Sequence, residues 1–518
     1  MDLGCSLACA SMMALATVGW PQPGRMAPEK ADVATSVRQY RTANEHRIVG
    51  ELVELLSIPN IASDKTNIGR NADLLKAMIE RRGARVQFFP IQGRGPVVYA
   101  ELPAPGATRT LVFYAHYDGQ PVDAAAWTGT KPFEPALRTN SIEAGGQLRP
   151  LPSPGTPYQD DWRIYGRSAS DDKSPIVAFL AAIDALAAGG IPRAVNLKLI
   201  LDSEEENGSP HLEAALLAHR DVVTGDVLIT GDGPVHQSGR PLIYYGNRGV
   251  VDLNVTVYGP VRGLHSGHYG NWAPNPAMRL AQLLASMKDA TGHVLVAGFY
   301  DDVVPLGRRE QAALDAMPFN DAELQRELQF GEAEGGHRKL TELINQPSLN
   351  IRGLRSAYVG AQSQNIVPDR ADASLDLRLV KNIDPLRQFE RVVAHIATQG
   401  YFVVRDREPT PDERRSHTRV VRIDYGGGYP ATRTSMDLPV SVEVARALDV
   451  GLGTPVVKAP SLGGSVPMYI FERIGLPMIG VPIVNYDNNQ HSYNENLRMG
   501  HFWRGIETYA VLMASLRW

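Results

Sequence analysis

Residues 195–206 read VNLKLILDSEEE. A partly alternating apolar run of strand length stops at Asp202 and gives way to a knot of acids, Glu204, Glu205 and Glu206. Like charges crowded against a buried strand are costly unless a cation offsets them. In an open α/β sheet, ligands bind beyond the carboxyl ends of the strands. This stretch therefore reads both as a sheet strand and as one wall of a site.

The neighbouring segments extend the pattern. Short β-rich runs occur at Arg85–Phe89, Val97–Leu102, Thr110–His116 and Asp226–Thr230, and a further apolar strand region spans 476–484. Helical periodicity marks 36–56, 70–82, 437–449 and Gly500–Trp518. The apolar stretch 173–189 has Pro175 in its first turn and a glycine pair at its end, as a buried helix should. Strands alternating with helices predict an α/β domain with a mixed, largely parallel sheet between helices. The texture changes near Gly246. Val250–Tyr258 and Ala371–Val380 alternate like half-exposed antiparallel strands, with helices at 276–289 and 384–398. That pattern predicts an inserted α+β, ferredoxin-like domain. Its 300–350 part is charged and helix-prone, an insertion within it. The expected division is a signal-like or disordered segment at 1–31, one domain split between 32–246 and 421–518, and an inserted domain at 247–420. Gly426-Gly427-Gly428 reads as a flexible loop; no Lys-Ser/Thr follows to make it a phosphate loop.

Composition narrows the function. The chain has 518 residues, with 52 Lys plus Arg against 56 Asp plus Glu, a net charge of −4. Nothing in that balance argues for binding nucleic acid or an anionic membrane. The two cysteines, Cys5 and Cys9, cannot build a disulfide framework or a thiolate zinc module. Any metal must be held by histidines and carboxylates. Leu3–Trp20 is uncharged and Ala14-Leu15-Ala16 resembles a signal cleavage site, although Asp2 precedes it and no Lys or Arg does. A cleaved signal would make the protein periplasmic or secreted; otherwise it is cytoplasmic. No other stretch has the apolar length of a membrane span.

Histidines and acids gather at the predicted strand ends. His116 closes Thr110–His116, and Asp118 lies two residues on, placed to fix the imidazole tautomer. Asp171 and Asp172 precede the 173–189 helix, where helix capping is the ordinary role of such acids. Asp232 follows Asp226–Thr230, and His491 follows the 476–484 strands. Each alone also suits a purely structural role. Together they supply the histidines and carboxylates that two zinc or manganese ions require, with a bridging carboxylate and a spare Glu as general base.

In order along the chain stand HYDGQP (116–121), GRSASDDKSP (166–175), SEEENGS (203–209), GLHSGHYGN (263–271), GGSVP (463–467) and QHSYNE (490–495). This series resembles the carnosinase/carboxypeptidase G-like family of co-catalytic di-zinc peptidases, in its dipeptidase branch. The resemblance implies metal ligation by His116, Asp171, Glu206, Asp232 and His491, with Asp171 bridging and the peptide bond after it cis. It implies Glu205 as general base and Asp118 as orienter of His116. It also implies a homodimer through the inserted domain, with His265 reaching a partner's site to stabilise the oxyanion. Arg378 would hold a substrate carboxylate, and Gly463, Gly464 and Ser465 would line the substrate. The implied cofactor is a pair of divalent ions, zinc first, with Mn or Co as alternatives. The implied substrate is a small peptide or an N-acyl amino acid. The expected activity is amide hydrolysis by a dipeptidase or carboxypeptidase, with N-acyl-amino-acid deacylation as the alternative and a non-catalytic binding relative as a third reading. Two departures stand out: Ser168 and Ser174 replace frequent glycines, and Pro460-Ser461-Leu462 replaces an Arg-Glu pair before Gly-Gly-Ser. Residues 134–161 form a Pro-rich insertion at the expected cleft rim.

Overall fold

The computed structural model describes Met1 and residues 30–518; the signal-like stretch Leu3–Trp20, with Cys5 and Cys9, lies outside the described residues. The main sheet has eight strands, in the order 85–89, 97–102, 196–202, 110–116, 227–230, 478–480, 242–244 and 457–459. The central four, from Asn196–Asp202 to Met478–Gly480, run parallel. Antiparallel pairs flank them on both sides. Central parallel strands are buried on both faces, which explains their near-continuous apolar sequence. Phe113 and Tyr114 show the two faces at work. Phe113 stacks on Phe179 at 4.0 Å between centroids, under the helices Lys173–Ala188 and Met499–Ser515. Tyr114 points the other way and meets Phe471 edge-on at 5.0 Å.

The helix Lys173–Ala188 is buried on nearly all sides, between the sheet and the helices Lys30–Leu56 and Met499–Ser515. Even Lys173 is enclosed; its ammonium donates to the carbonyls of Leu55 at 2.8 Å and Ile58 at 3.1 Å. Burial holds its pKa well below the usual lysine value. The first helix starts at Lys30, a turn and a half before the expected position. No described helix is long and apolar enough to cross a membrane.

A second sheet carries its own core. Its order is 348–355, 370–379, 249–258, 420–429 and 402–405, antiparallel except for the last pair. The helices Pro276–Met287 and Pro385–Thr398 bury Leu280, Leu283, Val392 and Ile396 against Val251, Leu253, Leu375 and Leu377.

Two expectations change here. Gly426–Gly428 is not a loop but lies inside the strand Val420–Tyr429. A Cβ on Gly428 would stand 2.5 Å from the Val250 carbonyl oxygen, so the glycines permit close strand approach. They also accompany a register shift between Val251 and Leu253, with Gly427 at φ +98°. Because this strand pairs with Gly249–Tyr258, the second sheet continues to residue 429, past the expected boundary at 420.

A small four-stranded sheet joins 496–498, 163–165, 136–138 and 148–149. Part of the 134–161 insertion is thus strand. Arg163–Tyr165 pairs antiparallel with Asn496–Arg498, which brings the loop before 496 against the loop after 165. The 300–350 segment folds into the short helices Arg308–Asp315, Asp321–Glu327 and Leu340–Ile344. Leu314 in the first of these is buried, and Arg309 reaches Asp437 at 2.8 Å.

Candidate metal centre

The four central parallel strands deliver the site. His116 ends one strand, Glu205 and Glu206 form a single 3-10 turn after the next, and Asp232 follows the third. His491 sits in the loop after the fourth, at φ +60°. Asp171 comes from the loop before the Lys173–Ala188 helix, and its peptide bond to Asp172 is cis.

These side chains converge into two donor groups. His116, Glu205 and Asp232 form one, and Asp171, Glu206 and His491 form the other, with the donor atoms of each group within 4.8 Å of one another. Asp171 faces both groups. Its Oδ1 lies 2.8 Å from His116 Nε2, and its Oδ2 lies 3.1 Å from His491 Nε2. His491 Nε2 is also 3.4 Å from Glu206 Oε2. Asp118 stands behind: its Oδ1 is 3.3 Å from His116 Nδ1 and accepts from the Glu205 amide at 3.1 Å, while Oδ2 accepts from the Glu206 amide at 3.2 Å. One buried carboxylate thus orients the histidine and the Glu205–Glu206 turn together.

The electrostatics call for positive charge. Burial, then nearby carboxylates, push Glu205 well above the usual range, Glu206 up to about 7 and Asp232 up to about 6, with His116 opposing each shift. The hydrogen bond to Asp171 drives His491 up to about 9, against its own burial. Burial opposes protonation of His116, yet its bonds to Asp118 and Asp171 raise it well above the usual value. Carboxylates that resist ionisation, facing histidines held near them, fit divalent cations bound without thiolate.

Several contributors were not assigned from sequence. Glu495 is fully buried and accepts from Arg167 Nη1 at 2.7 Å, from the amides of Ser168 and Ser170 at 2.9 Å, and from the Asp171 amide at 3.0 Å. Gln120 donates to Glu206 Oε2 at 2.6 Å, and Gln490 to Asp171 Oδ2 at 3.2 Å. All four lie within the quoted motifs, and the opposite charges of Arg167 and Glu495 were the available signal. Glu204, first of the three glutamates, turns away; it pairs with His211 at 2.7 Å and Arg94 at 3.3 Å. Ser168 takes φ +62°, and its hydroxyl accepts from Asn60 Nδ2 at 2.8 Å.

The expected substrate residues lie apart from the donors. Arg378 Nη1 donates to Ser465 Oγ at 2.8 Å and its Nε to Asp376 at 3.0 Å. Gly464 accepts from the Arg248 amide at 3.2 Å, and Gly463 lies near Ile344. Tyr429 lies between the two regions. Burial raises its hydroxyl pKa, Glu205 adds to the shift and Arg378 opposes it. His265 is exposed on the inserted domain; its Nδ1 accepts from the Gly267 amide at 3.1 Å, and it belongs to neither donor group.

Paired carboxylate–histidine groups at the carboxyl edge of a mixed α/β sheet, with a second domain inserted, define a metallohydrolase. The chain belongs to peptidase family M20/M25/M40, whose model matches residues 112–515, and it is a metallopeptidase. It is 24% identical over 492 residues to a Cys-Gly metallodipeptidase of Schizosaccharomyces pombe, covering 90% of this chain and 95% of that one. It is 26% identical over 464 residues to the human Beta-Ala-His dipeptidase, covering 85% and 83%. The M20 family metallo-carboxypeptidase Sso-CP2 of Sulfolobus solfataricus superposes with a TM-score of 0.73 at 28% identity, over 90% of this chain and 98% of that one. Human carnosine dipeptidase 1 gives the same TM-score, 0.73, at 24% identity, over 95% and 99%, a likeness of fold.

Proposed function

We propose that the protein hydrolyses the amide C–N bond of dipeptides or short peptides, using two divalent ions, zinc first. The observation that carries this reading is Asp171, which turns one carboxylate oxygen to His116 at 2.8 Å and the other to His491 at 3.1 Å. A carboxylate shared in this way would serve both donor groups, and Glu205, beside His116 and Asp232, would then act in proton transfer.

Bound ions would supply Lewis acidity and lower the pKa of a water. The chain's residues do the rest. His116, Asp232 and Asp171 would hold one ion, and Asp171, Glu206 and His491 the other. Glu205, raised well above an ordinary carboxylate mainly by burial, takes a proton from the attacking water and returns it to the leaving nitrogen. Asp118 keeps His116 and the Glu205–Glu206 turn in place. Arg378, set by Asp376 and Ser465, pairs with a substrate carboxylate. His265 acts from the partner of a homodimer formed through the inserted domain, where it donates to the developing oxyanion. In support, the outer strand Ser348–Arg355 leaves Leu354 and Ile351 exposed at a sheet edge, open to pairing with another copy.

Deacylation of N-acyl amino acids on the same machinery is the second reading. It is favoured by the absence of the Arg-Glu pair before Gly463, where Ser461 and Leu462 stand. Hydrolysis of a matched panel of dipeptides and N-acyl amino acids, with and without chelator, tests both. Chelator-sensitive cleavage of dipeptides is expected; cleavage of N-acyl amino acids alone would transfer the assignment to the second reading, and no cleavage by metal-loaded protein would overturn both.

A further inference from the structure

A cavity of about 140 Å³ opens between the 300–350 segment and the loop that precedes Gly464. Leu314, Met317, Phe319 and Ile344 wall it on one side, and Pro234 and Leu462 on the other. Among the described residues that line it there is no Asp, Glu, Lys or Arg. His236 lines it too, but its Nδ1 accepts from the Ser238 amide at 3.2 Å. Burial, then Arg240, holds the His236 pKa below its ordinary value, so the wall stays neutral. Two wall atoms lack partners, Thr341 Oγ1 and Asn345 Oδ1, and both are uncharged.

The cavity adjoins the metal centre through the backbone. Asp232 is followed by Gly233, where a Cβ would come within 3.0 Å of Leu462 Cδ2. Val235, two residues on, donates its amide to the Val484 carbonyl at 2.9 Å. On the other side, the loop runs from Leu462 and Gly463 directly to Ser465, which accepts from Arg378. The cavity wall thus meets, through Leu462, the residue next to Asp232, and continues along the chain to the Ser465 that Arg378 contacts.

We propose that this cavity is the subsite for an uncharged, apolar side chain or acyl chain attached next to the scissile amide, so that the preferred substrates are amides of apolar residues. The assignment rests on the amide-hydrolase reading above. Apolar surface gains from burial here, whereas an ammonium or carboxylate would enter with no opposite charge to meet it. The volume suits one branched aliphatic group or one ring; an apolar cavity of about 150 Å³ is enough to hold benzene.

The test uses the full-length, metal-loaded protein with three substrate series: X-Gly, Gly-X and N-acetyl-X, where X is Leu, Phe, Glu or Lys. In at least one series kcat/KM for Leu and Phe should exceed that for Glu and Lys by about 10- to 200-fold, the range a hydrophobic pocket can discriminate. Leu462→Glu should erase that preference and raise the relative rate for Lys, with metal content unchanged. If Leu462→Glu does not fold, Ile344→Glu, on the opposite wall, should give the same shift. Equal rates across X in all series, or an unchanged preference in the folded variant, would overturn the subsite while leaving the hydrolase reading intact. No hydrolysis in any series would overturn the hydrolase reading and this subsite with it.

Discussion

The amide of Asp171 donates to Glu495 Oε1 at 3.0 Å, across 324 residues of chain. Glu495 also takes the Ser168 and Ser170 amides and the guanidinium of Arg167, itself only 3% exposed. The loop that presents Asp171 to both donor groups is therefore moulded around one buried carboxylate.

Glu495→Ala should be expensive. It leaves a buried guanidinium unpaired and several amides without acceptors, a loss of about 3–5 kcal/mol for a broken buried pair. Denaturant unfolding should show that loss, and metal analysis should show reduced occupancy. Glu495→Gln keeps the shape and some of the acceptors, so its cost should be smaller. A Glu495→Ala protein with wild-type stability and full metal content would show that the Asp171 loop holds itself.

Glu205→Gln separates base from ligand. Glu205 shares a donor group with His116 and Asp232, but its carboxylate is 3.9 Å from His116 Nε2, whereas Asp171 is at 2.8 Å. If Asp171 is the shared ligand, Glu205→Gln should keep both metals and lose turnover by at least about 10²- to 10⁴-fold, the usual contribution of a general base. Metal stoichiometry and kcat measured on the same sample decide it. Loss of an ion together with activity would make Glu205 a ligand instead.

Chelation should both abolish hydrolysis and change how stability depends on pH. With the cations stripped, Asp232 titrates near 6 and Glu206 near 7, both above ordinary carboxylates, while His491 titrates near 9, above an ordinary histidine. Each of these groups binds its proton more tightly folded than unfolded. Their stabilisation is complete below the unfolded values and lost as pH rises through the folded ones. Asp171, shifted down, acts only at strongly acid pH. Metal-free protein should therefore lose thermal stability steadily from about pH 4 to about pH 9. The metal-loaded form should be flatter over the same window. Parallel melting curves for the two forms would contradict this arrangement of charges.

Arg378→Ala tests the far side of the site. Its guanidinium is positioned by Asp376 and Ser465 rather than consumed by a full salt-bridge network. For substrates with a free α-carboxylate, KM should rise about 10- to 100-fold, as expected for one charged hydrogen-bonded contact. The corresponding esters or amides should change little. An equal loss on both kinds of substrate would point to a structural role.

What could be read in advance follows from how local each signal is. His116 and Asp232 were legible because one closes an apolar strand and the other lies two residues past the end of one, which places both at the sheet edge. Glu205 and Glu206 were set apart from Glu204 only through the family resemblance, in which Asn207-Gly208-Ser209 match the small residues after the Glu pair; in the structure Gly208, at φ +80°, closes their 3-10 turn. Glu495 was not assigned, because its partners lie more than 320 residues away and nothing local marks an acid as a backbone acceptor. Gly426–Gly428 misled for a similar reason. Their freedom serves close approach to Val250 and Asp252 across the sheet, a fact of tertiary pairing rather than of the loop composition they resemble.

The placement of His265 yields the most demanding prediction. The side chain is exposed beside His268, 4.6 Å between ring centroids, and bonded only to its own turn. It belongs to neither donor group of its own chain, so the proposed catalytic role would come from a second copy. His265→Ala should then retain fold, both metals and dimer mass while losing most of kcat. Mixing it with the inactive but His265-intact Glu205→Gln protein, with exchange of subunits, should restore activity, because a heterodimer contains one site with a native Glu205 and a native partner His265. Sedimentation would confirm the mixed dimers. Failure of complementation in those dimers, or a wild-type rate for His265→Ala, would remove His265 from the reaction and leave the oxyanion to the metal ligands' side of the cleft.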